Sequence, residues 1–299
     1  MKTVALVTDE ISLPIDHDMP PLLHACRAAG LVPEVCDWYD TSVDWSRFDA
    51  VVPRSPWTYV DRLPDFLAWC EEVDAATLLL NPLAIARWVL DKHYVADLAA
   101  RGVPVVPTRF VAPGTDPLPV VREVLAEHQG AKEVVVKPTI GAYSKNVQRF
   151  ARPLVEEAAR YAGKLLDNGA HVMVQPYFES VDRHGETDLI FFEEEFSHSI
   201  RKDAMLSPDG TVNVPTLDTR TPREADAEER AVALAALDAA ASHLGIERPL
   251  LYGRVDLIRD DDGRPVVLEL DLCEPSLNLP FTDTGATRFA EALARRLGS

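Results

Sequence analysis

Arg254-Val255-Asp256-Leu257-Ile258 and Val267-Leu268-Glu269-Leu270-Asp271 flank the dipeptide Asp262-Gly263. Both arms alternate apolar and polar residues, the period of a half-buried strand. Asp262-Gly263 reads as a two-residue type I′ turn. That turn sets Asp261 opposite Arg264, and hence Asp256 opposite Glu269 and Arg254 opposite Asp271. One face of the hairpin then carries three carboxylates and a guanidinium, with Cβ atoms of directly opposed residues about 4.5–5.5 Å apart. Carboxylates this close repel one another and call for a cation; Mg²⁺, a hard ion shared with substrate phosphates, satisfies the set. Val255, Leu257, Val266, Leu268 and Leu270 are expected on the opposite, core-facing side. The plainer alternative is an acidic solvent face on an ordinary antiparallel hairpin.

Outward from the hairpin, the chain has room for two or three domains in its 299 residues. Its 30 basic and 48 acidic residues give a net charge of -18, which argues against nucleic acid as a general partner but not against one nucleotide in a local positive pocket. Cys26, Cys36, Cys70 and Cys273 show no C-x-x-C spacing and read as reduced thiols of a cytoplasmic chain. No apolar run reaches the ~18 residues of a membrane span.

The N-terminal part alternates strands (2–8, 32–36, 49–53, 78–80) with helices (19–30, 63–73), as in an open, mostly parallel α/β sheet. Asn81-Pro82 marks a break, followed by one helix over 83–101. A compact α+β module comes next, with strands at 109–111, 133–136, 146–150 and 171–175 and helices at 118–127 and 154–166. Strands near 188–192 and 196–200, a helix over 223–244, the hairpin and a last helix to residue 297 complete the chain. The expected domains are 1–88, 89–176 and 177–299.

Val134-Val135-Val136-Lys137 is an apolar strand ending in lysine beside the loop 138–145. Such a lysine can hold a phosphate as a point charge, with loop groups adding donors; it can also simply snorkel before a turn. Gln175-Pro176-Tyr177 interrupts a strand at a domain junction, where backbone groups could read an adenine edge and Glu179 could accept from a ribose hydroxyl. An ordinary linker fits that segment equally. Ser197-His198-Ser199-Ile200-Arg201-Lys202 sets Arg201 on one strand face as a candidate clamp for developing negative charge, or as an exposed basic residue. Lys92 falls inside the 83–101 helix. Arg54 follows the third strand, at the end where open α/β sheets place ligands, and suits a substrate carboxylate. There is no G-x-G-x-x-G after the first strand, no G-x-x-x-x-G-K-[ST], no H-E-x-x-H and no G-x-S-x-G.

In order along the chain stand Lys92, VVVKPTIGAYSKNV (134–147), Gln175-Pro176-Tyr177, FSHSIRK (196–202), Arg254-Val255-Asp256 and LELDLCEPSLNL (268–279). This succession resembles the ATP-grasp superfamily of carboxylate–amine ligases over essentially the whole chain. The resemblance implies an α/β and α+β ATP-grasp fold: an N-terminal parallel α/β domain, a central lid module and a C-terminal antiparallel-sheet domain. It implies ATP and Mg²⁺ as cofactors and a small amino-acid-like substrate, with no nucleic acid or membrane partner. Lys92, Lys137, Gly141 and Ser144 would meet the phosphates. Gln175, Pro176, Tyr177 and Glu179 would line the adenosine site. Asp256, Glu269 and Asp271 would bind Mg²⁺, and Arg254 and Arg201 would stabilise an acyl-phosphate transition state. Arg54, Ser55, His198 and Ser276 are the substrate-side candidates. The phosphate loop holds only Gly141 where relatives are often glycine-rich, and Asp271 stands where many carry asparagine.

Within the superfamily the chain looks like a cyclo-ligase closing a ring on one substrate. The alternative is a ligase joining an amino-acid or peptide carboxylate to a separate amine. A nucleotide binder without catalysis would have no need of Arg254, Asp256 and Glu269 together. Homo-oligomerisation stays open.

Overall fold

The computed structural model describes residues 1–142, 144–207, 212, 216–247 and 249–298. Its first layer comprises β1 (Thr3–Thr8), α1 (Met19–Ala28), β2 (Val32–Asp37), β3 (Ala50–Ser55) and α2 (Leu63–Ala76). The sheet is parallel, in the order β2-β1-β3, and Leu79 adds a parallel bridge to Val51. Val4 to Val7 and all of β3 are buried. The near-continuous apolar runs read from the sequence follow from this two-sided burial.

The single helix expected over 83–101 is two helices, α3 (Leu83–Val89) and α4 (Tyr94–Ala100). Lys92 lies in the break, and its backbone N–H donates to Thr139 O at 2.9 Å instead of continuing a helical ladder. Asp91 Oδ1 accepts from the His93 backbone at 3.2 Å and contacts the His93 ring Nδ1 at 2.6 Å, an aspartate motif that competes with helix.

The middle sheet is antiparallel, in the order β4-β7-β5-β6. It is built from β4 (Arg109–Val111), β5 (Glu133–Pro138), β6 (Gln148–Ala151) and β7 (Val172–Pro176), with α5 (Leu118–Glu127) and α6 (Val155–Asp167) between them. Strand alternation divides β5: Val134 and Val136 join the core under α5 and α6, while Val135 and Lys137 look into a cleft.

The last sheet is antiparallel, in the order β10-β9-β8-β11-β12. It follows α7 (Ser180–His184) and consists of β8 (Glu186–Phe192), β9 (Glu195–Lys202), β10 (Arg220–Pro222), β11 (Tyr252–Arg259) and β12 (Pro265–Asp271). Helix α8 (Ala227–Leu244) covers its back, and α9 (Gly285–Arg296) returns to pack Phe289 and Leu293 with Leu22 and Cys26 of α1. The α8 helix starts later than residue 223 because Asp226 caps it: Asp226 and Glu229 form a reciprocal capping box. Among the described residues no helix is long and apolar enough to cross a membrane.

The hairpin corrects the sequence reading in an instructive way. Arg254 does face Asp271, and Asp256 does face Glu269, but Arg259 faces Pro265 and the register shifts between Asp256 and Leu257. The loop is therefore one residue longer than a two-residue turn. Asp260 N donates to Arg264 O at 2.9 Å, and Gly263 takes φ +80°. A bulge at Leu268 absorbs the extra residue and restores the pairing of the charged groups. The bulge also changes the faces: Val267 joins Val255, Leu257 and Leu270 in the core, whereas Leu268 lines the cleft and Val266 packs in the apolar cluster with Ile258.

Candidate active site

The middle and last sheets face each other across a cavity of about 750 Å³, closed at one end by the N-terminal layer. Its floor is the uncovered face of the last sheet. Registers align Arg220 with Lys202 and Lys202 with Glu186 in one row, Asp188 with Asp256 and Glu269 in the next, and Arg254 with Asp271 in a third. Glu186 with Lys202 and Arg254 with Asp271 set opposite charges side by side, whereas Asp188, Asp256 and Glu269 gather three like charges in one row and Arg220 lies beside Lys202.

The carboxylates form two groups that share Asp256. Oxygens of Asp256, Glu269 and Asp271 lie within 4.8 Å of one another, as do those of Glu186, Asp188 and Asp256. The second group already encloses a cation: Lys202 Nζ is 2.7 Å from Glu186 and 3.5 Å from both Asp188 and Asp256. The first is bounded by Arg254, whose Nε and Nη2 donate to Asp256 at 2.7 and 3.0 Å and whose Nη2 also reaches Asp271. Burial pushes the Asp256 and Asp271 carboxyls above the usual range despite Arg254. Hard oxygen donors at this spacing fit a divalent ion such as Mg²⁺, which would remove that penalty.

The roof supplies two lysines. Lys92 Nζ lies 2.9 Å from Glu269 Oε1 and donates to Gly141 O at 2.8 Å. Lys137, at the end of β5, is buried and has no ion-pair partner within 4 Å among the described residues. Burial, reinforced by Lys92 and opposed by Glu269, lowers its pKa. Cations held this way are available to the phosphates of a nucleotide. The loop after β5 also reaches the N-terminal layer, where Lys145 Nζ meets Asp61 at 2.7 Å. Tyr143 of that loop lies outside the described residues.

Beyond Lys137 the cavity turns apolar, with Val106, Val135, Tyr177, Phe178, Val181 and Ile258 forming one cluster. Gln175 and Pro176 line its edge. Tyr177 is fixed by its hydroxyl bond to Asp182 at 2.6 Å and by the Arg149 guanidinium 3.6 Å from its ring centre. A flat apolar slot beside buried lysines suits a purine base joined to phosphates.

Lys92, Lys137, Gly141, Ser144, Gln175, Pro176, Tyr177, Arg254, Glu269, Asp271 and Ser276 all line this cavity, with Asp256 buried in its floor. Five other candidates are elsewhere. Glu179 points outward to Lys132 at 2.7 Å. Arg201 is on the back of the sheet, bonded to His184 O at 2.8 Å and paired with Asp203; strand alternation gives the cleft to Lys202 instead. Gly185 sets that register: its φ is +70°, and a Cβ there would come within 2.2 Å of Lys202 O. Arg54 is wholly buried, donating to Pro275 O at 2.7 Å behind the cavity wall. Ser55 bonds Thr8 at 2.7 Å. His198 is held between Ser197 Oγ at 2.9 Å and Leu277 O at 2.8 Å, and does not line the cavity.

Sequence reasoning missed Glu186, Asp188, Lys202 and Arg220, and the wall formed by Ile11, Ile15 and Trp57. The alternation in Glu186-Thr187-Asp188 was the available signal, but which strand lies beside it is set by tertiary pairing. Asp18 was also missed. It holds the loop after β12 by accepting from Leu277 N at 2.5 Å, Leu279 N at 2.7 Å and Ser276 Oγ at 3.3 Å.

Two facing antiparallel sheets with a nucleotide-shaped slot, two roof lysines and an acidic floor define an ATP-grasp enzyme. A family model described as the N-terminal domain of D-cycloserine synthetase DcsG matches residues 4–81. The cycloserine biosynthesis protein DcsG of Streptomyces lavendulae is 62% identical over 297 residues, covering 99% of each chain. A crystal structure of D-cycloserine synthetase DcsG aligns with a TM-score of 0.95 at 62% identity, again over 99% of both chains. D-alanyl-alanine synthetase A from Vibrio cholerae shares the fold, with a TM-score of 0.68 at 13% identity over 99% of this chain and 97% of its own. The chain belongs to the D-cycloserine synthetase DcsG family, and it is an ATP-dependent ligase that forms a carbon–nitrogen bond.

Proposed function

We propose that this enzyme closes O-ureido-D-serine into the D-cycloserine ring at the expense of ATP, through an acyl phosphate. The observation that carries the reading is the convergence of Lys92, Lys137 and Arg254 on the Asp256–Glu269–Asp271 set, in a chain 62% identical throughout its length to a cycloserine biosynthesis protein.

The apolar slot between Val135, Tyr177 and Ile258 takes the base, and Lys92 and Lys137 hold the phosphates. Asp256, Glu269 and Asp271 would hold Mg²⁺, which would supply positive charge to the phosphates during phosphoryl transfer. A substrate carboxylate oxygen attacks the γ-phosphorus; the bond to the β-phosphate oxygen breaks and ADP leaves. The ureido nitrogen bound to oxygen then attacks the acyl carbon, loses its proton, and phosphate departs with the electrons of the C–O bond. Water takes off the carbamoyl group, yielding CO₂ and NH₃. Arg254, beside the carboxylate set, stabilises the negative charge that grows on the acyl oxygen. Nucleophile and electrophile belong to one molecule, so holding it in a bent conformation supplies much of the acceleration. Ile11, Ile15 and Trp57 wall the cavity and shield the acyl phosphate from premature hydrolysis.

Incubating the protein with ATP, Mg²⁺ and O-ureido-D-serine as the sole organic substrate, followed by mass spectrometry, tests this directly. ADP and D-cycloserine are expected in equal amounts. ADP release that requires an added amine, with the product joining two molecules, would replace the reading with an intermolecular ligase.

A further inference from the structure

Two arginines reach the same end of the cavity, and they differ in what they already hold. The Arg254 guanidinium already holds Asp256, Asp271 and the Ser276 carbonyl at 3.2 Å, which leaves it one N–H to offer. Arg220 has only neutral partners. Its Nη1 donates to Asn278 Oδ1 at 2.8 Å and to Ser276 Oγ at 3.4 Å, and its Nε is buried with no hydrogen-bond partner. No carboxylate lies within 4 Å of it among the described residues. A desolvated guanidinium without an anion is costly to maintain, and its planar fork matches a carboxylate.

The surroundings fix this cation in advance. Arg220 pairs with Lys202 across β10 and β9. Asn278 holds Arg220 through its carbonyl while its amide donates to Asp188 Oδ2 at 3.1 Å. Asp18, in turn, clamps the backbone on both sides of Asn278. Arg220 enters from the β10 edge of the sheet, whereas Glu269 and its partner Lys92 belong to the β12 edge. The Arg220 guanidinium reaches inward to Ser276 and Asn278 of the loop after β12, beside Arg254, while Lys92 donates to Gly141 O on the roof. Both a phosphate and a carboxylate are oxyanions that a guanidinium accepts. The roof already offers Lys92 and Lys137 to phosphates, and Arg220 is held by the floor-side loop instead, which favours the carboxylate.

We propose that Arg220 captures the carboxylate of the acceptor substrate before it is phosphorylated and sets the preference of the site for a free acid. This rests on the reading of the cleft as that of an acid-activating ligase. Arg254 would then serve the charge that develops later, and Arg220 the charge present at the outset.

The test is calorimetric titration of the full-length protein, loaded with Mg²⁺ and a non-hydrolysable ATP analogue, in wild-type, Arg220→Gln and Arg220→Lys forms. O-ureido-D-serine and its carboxamide are titrated first, then D-serine and D-serinamide, a pair without the ureido group. Wild type should prefer the acid in at least one pair. Arg220→Gln should weaken acid binding about 10–100-fold, leave the amide and the ATP analogue unchanged, and erase the preference. Arg220→Lys should recover part of it. Retention of the acid preference in Arg220→Gln, equal loss for acid and amide, or weakening of the ATP analogue alone would overturn the proposal. Absence of any acid preference in wild type overturns it as well. Failure of the ureido pair with success of the D-serine pair rejects the substrate and keeps the role of Arg220.

Discussion

Lys92 Nζ lies 2.9 Å from Glu269 Oε1, joining the break between α3 and α4 to the last strand of the floor. Burial alone would lower the Lys92 pKa and raise that of Glu269; their mutual attraction wins, so the lysine is raised and the glutamate, also facing Lys137, is lowered. Both groups are thus charged at neutral pH.

Glu269→Gln keeps the shape and removes the charge. The Mg²⁺ concentration for half-maximal ADP release should rise about 10–100-fold, with turnover falling in parallel. Circular dichroism should be unchanged. A wild-type Mg²⁺ dependence would remove Glu269 from the metal site.

Arg54→Ala tests a correction. From sequence, Arg54 suited a substrate carboxylate, a role whose loss would raise KM. In the fold it is buried, holds Pro275 O, and lies 4.0 Å from the Asp18 carboxylate. Removing it leaves Asp18 without its buried cation, so the variant should lose about 3 kcal/mol of stability in denaturant titration. Substrate KM of the folded fraction should stay within about twofold. A large KM rise at unchanged stability would restore the substrate role.

His198 provides a pH prediction. Burial lowers its pKa from 6.5 to about 4, so it stays neutral in the fold while the unfolded chain takes up a proton below pH 6.5. Stability therefore rises with pH across that window, and acidification from pH 7 to 4 costs up to about 3 kcal/mol at this residue. In His198→Gln the slope of unfolding free energy against pH between 4.5 and 6.5 should be shallower than in wild type. Equal slopes would contradict a neutral buried imidazole.

Much of the floor could be read from the chain because strand period and a hairpin are local. Asp256 and Glu269 face each other as the alternation implies, although a longer loop and a bulge at Leu268 reach that result together. Either change alone would have turned one arm over. Lys137 and Gln175 were legible as strand ends beside a loop and a hinge. What escaped depends on partners distant in sequence. Arg201 and Lys202 are adjacent, and the pairing of β9 with β8, fixed by the close approach of Gly185 to Lys202 O, decides which faces the cavity. Arg220 is one residue in a short edge strand with no pattern around it. The helix through Lys92 is broken by a bond to Thr139, 47 positions away, which local propensity does not register.

The most direct test of the central claim follows oxygen. O-ureido-D-serine labelled with ¹⁸O in both carboxylate oxygens should yield inorganic phosphate carrying one ¹⁸O atom per turnover, because the bridging oxygen of the acyl phosphate leaves with phosphorus. Phosphate without label, formed alongside D-cycloserine and ADP, would mean that ATP does not activate the carboxylate, and the account of this site would fail.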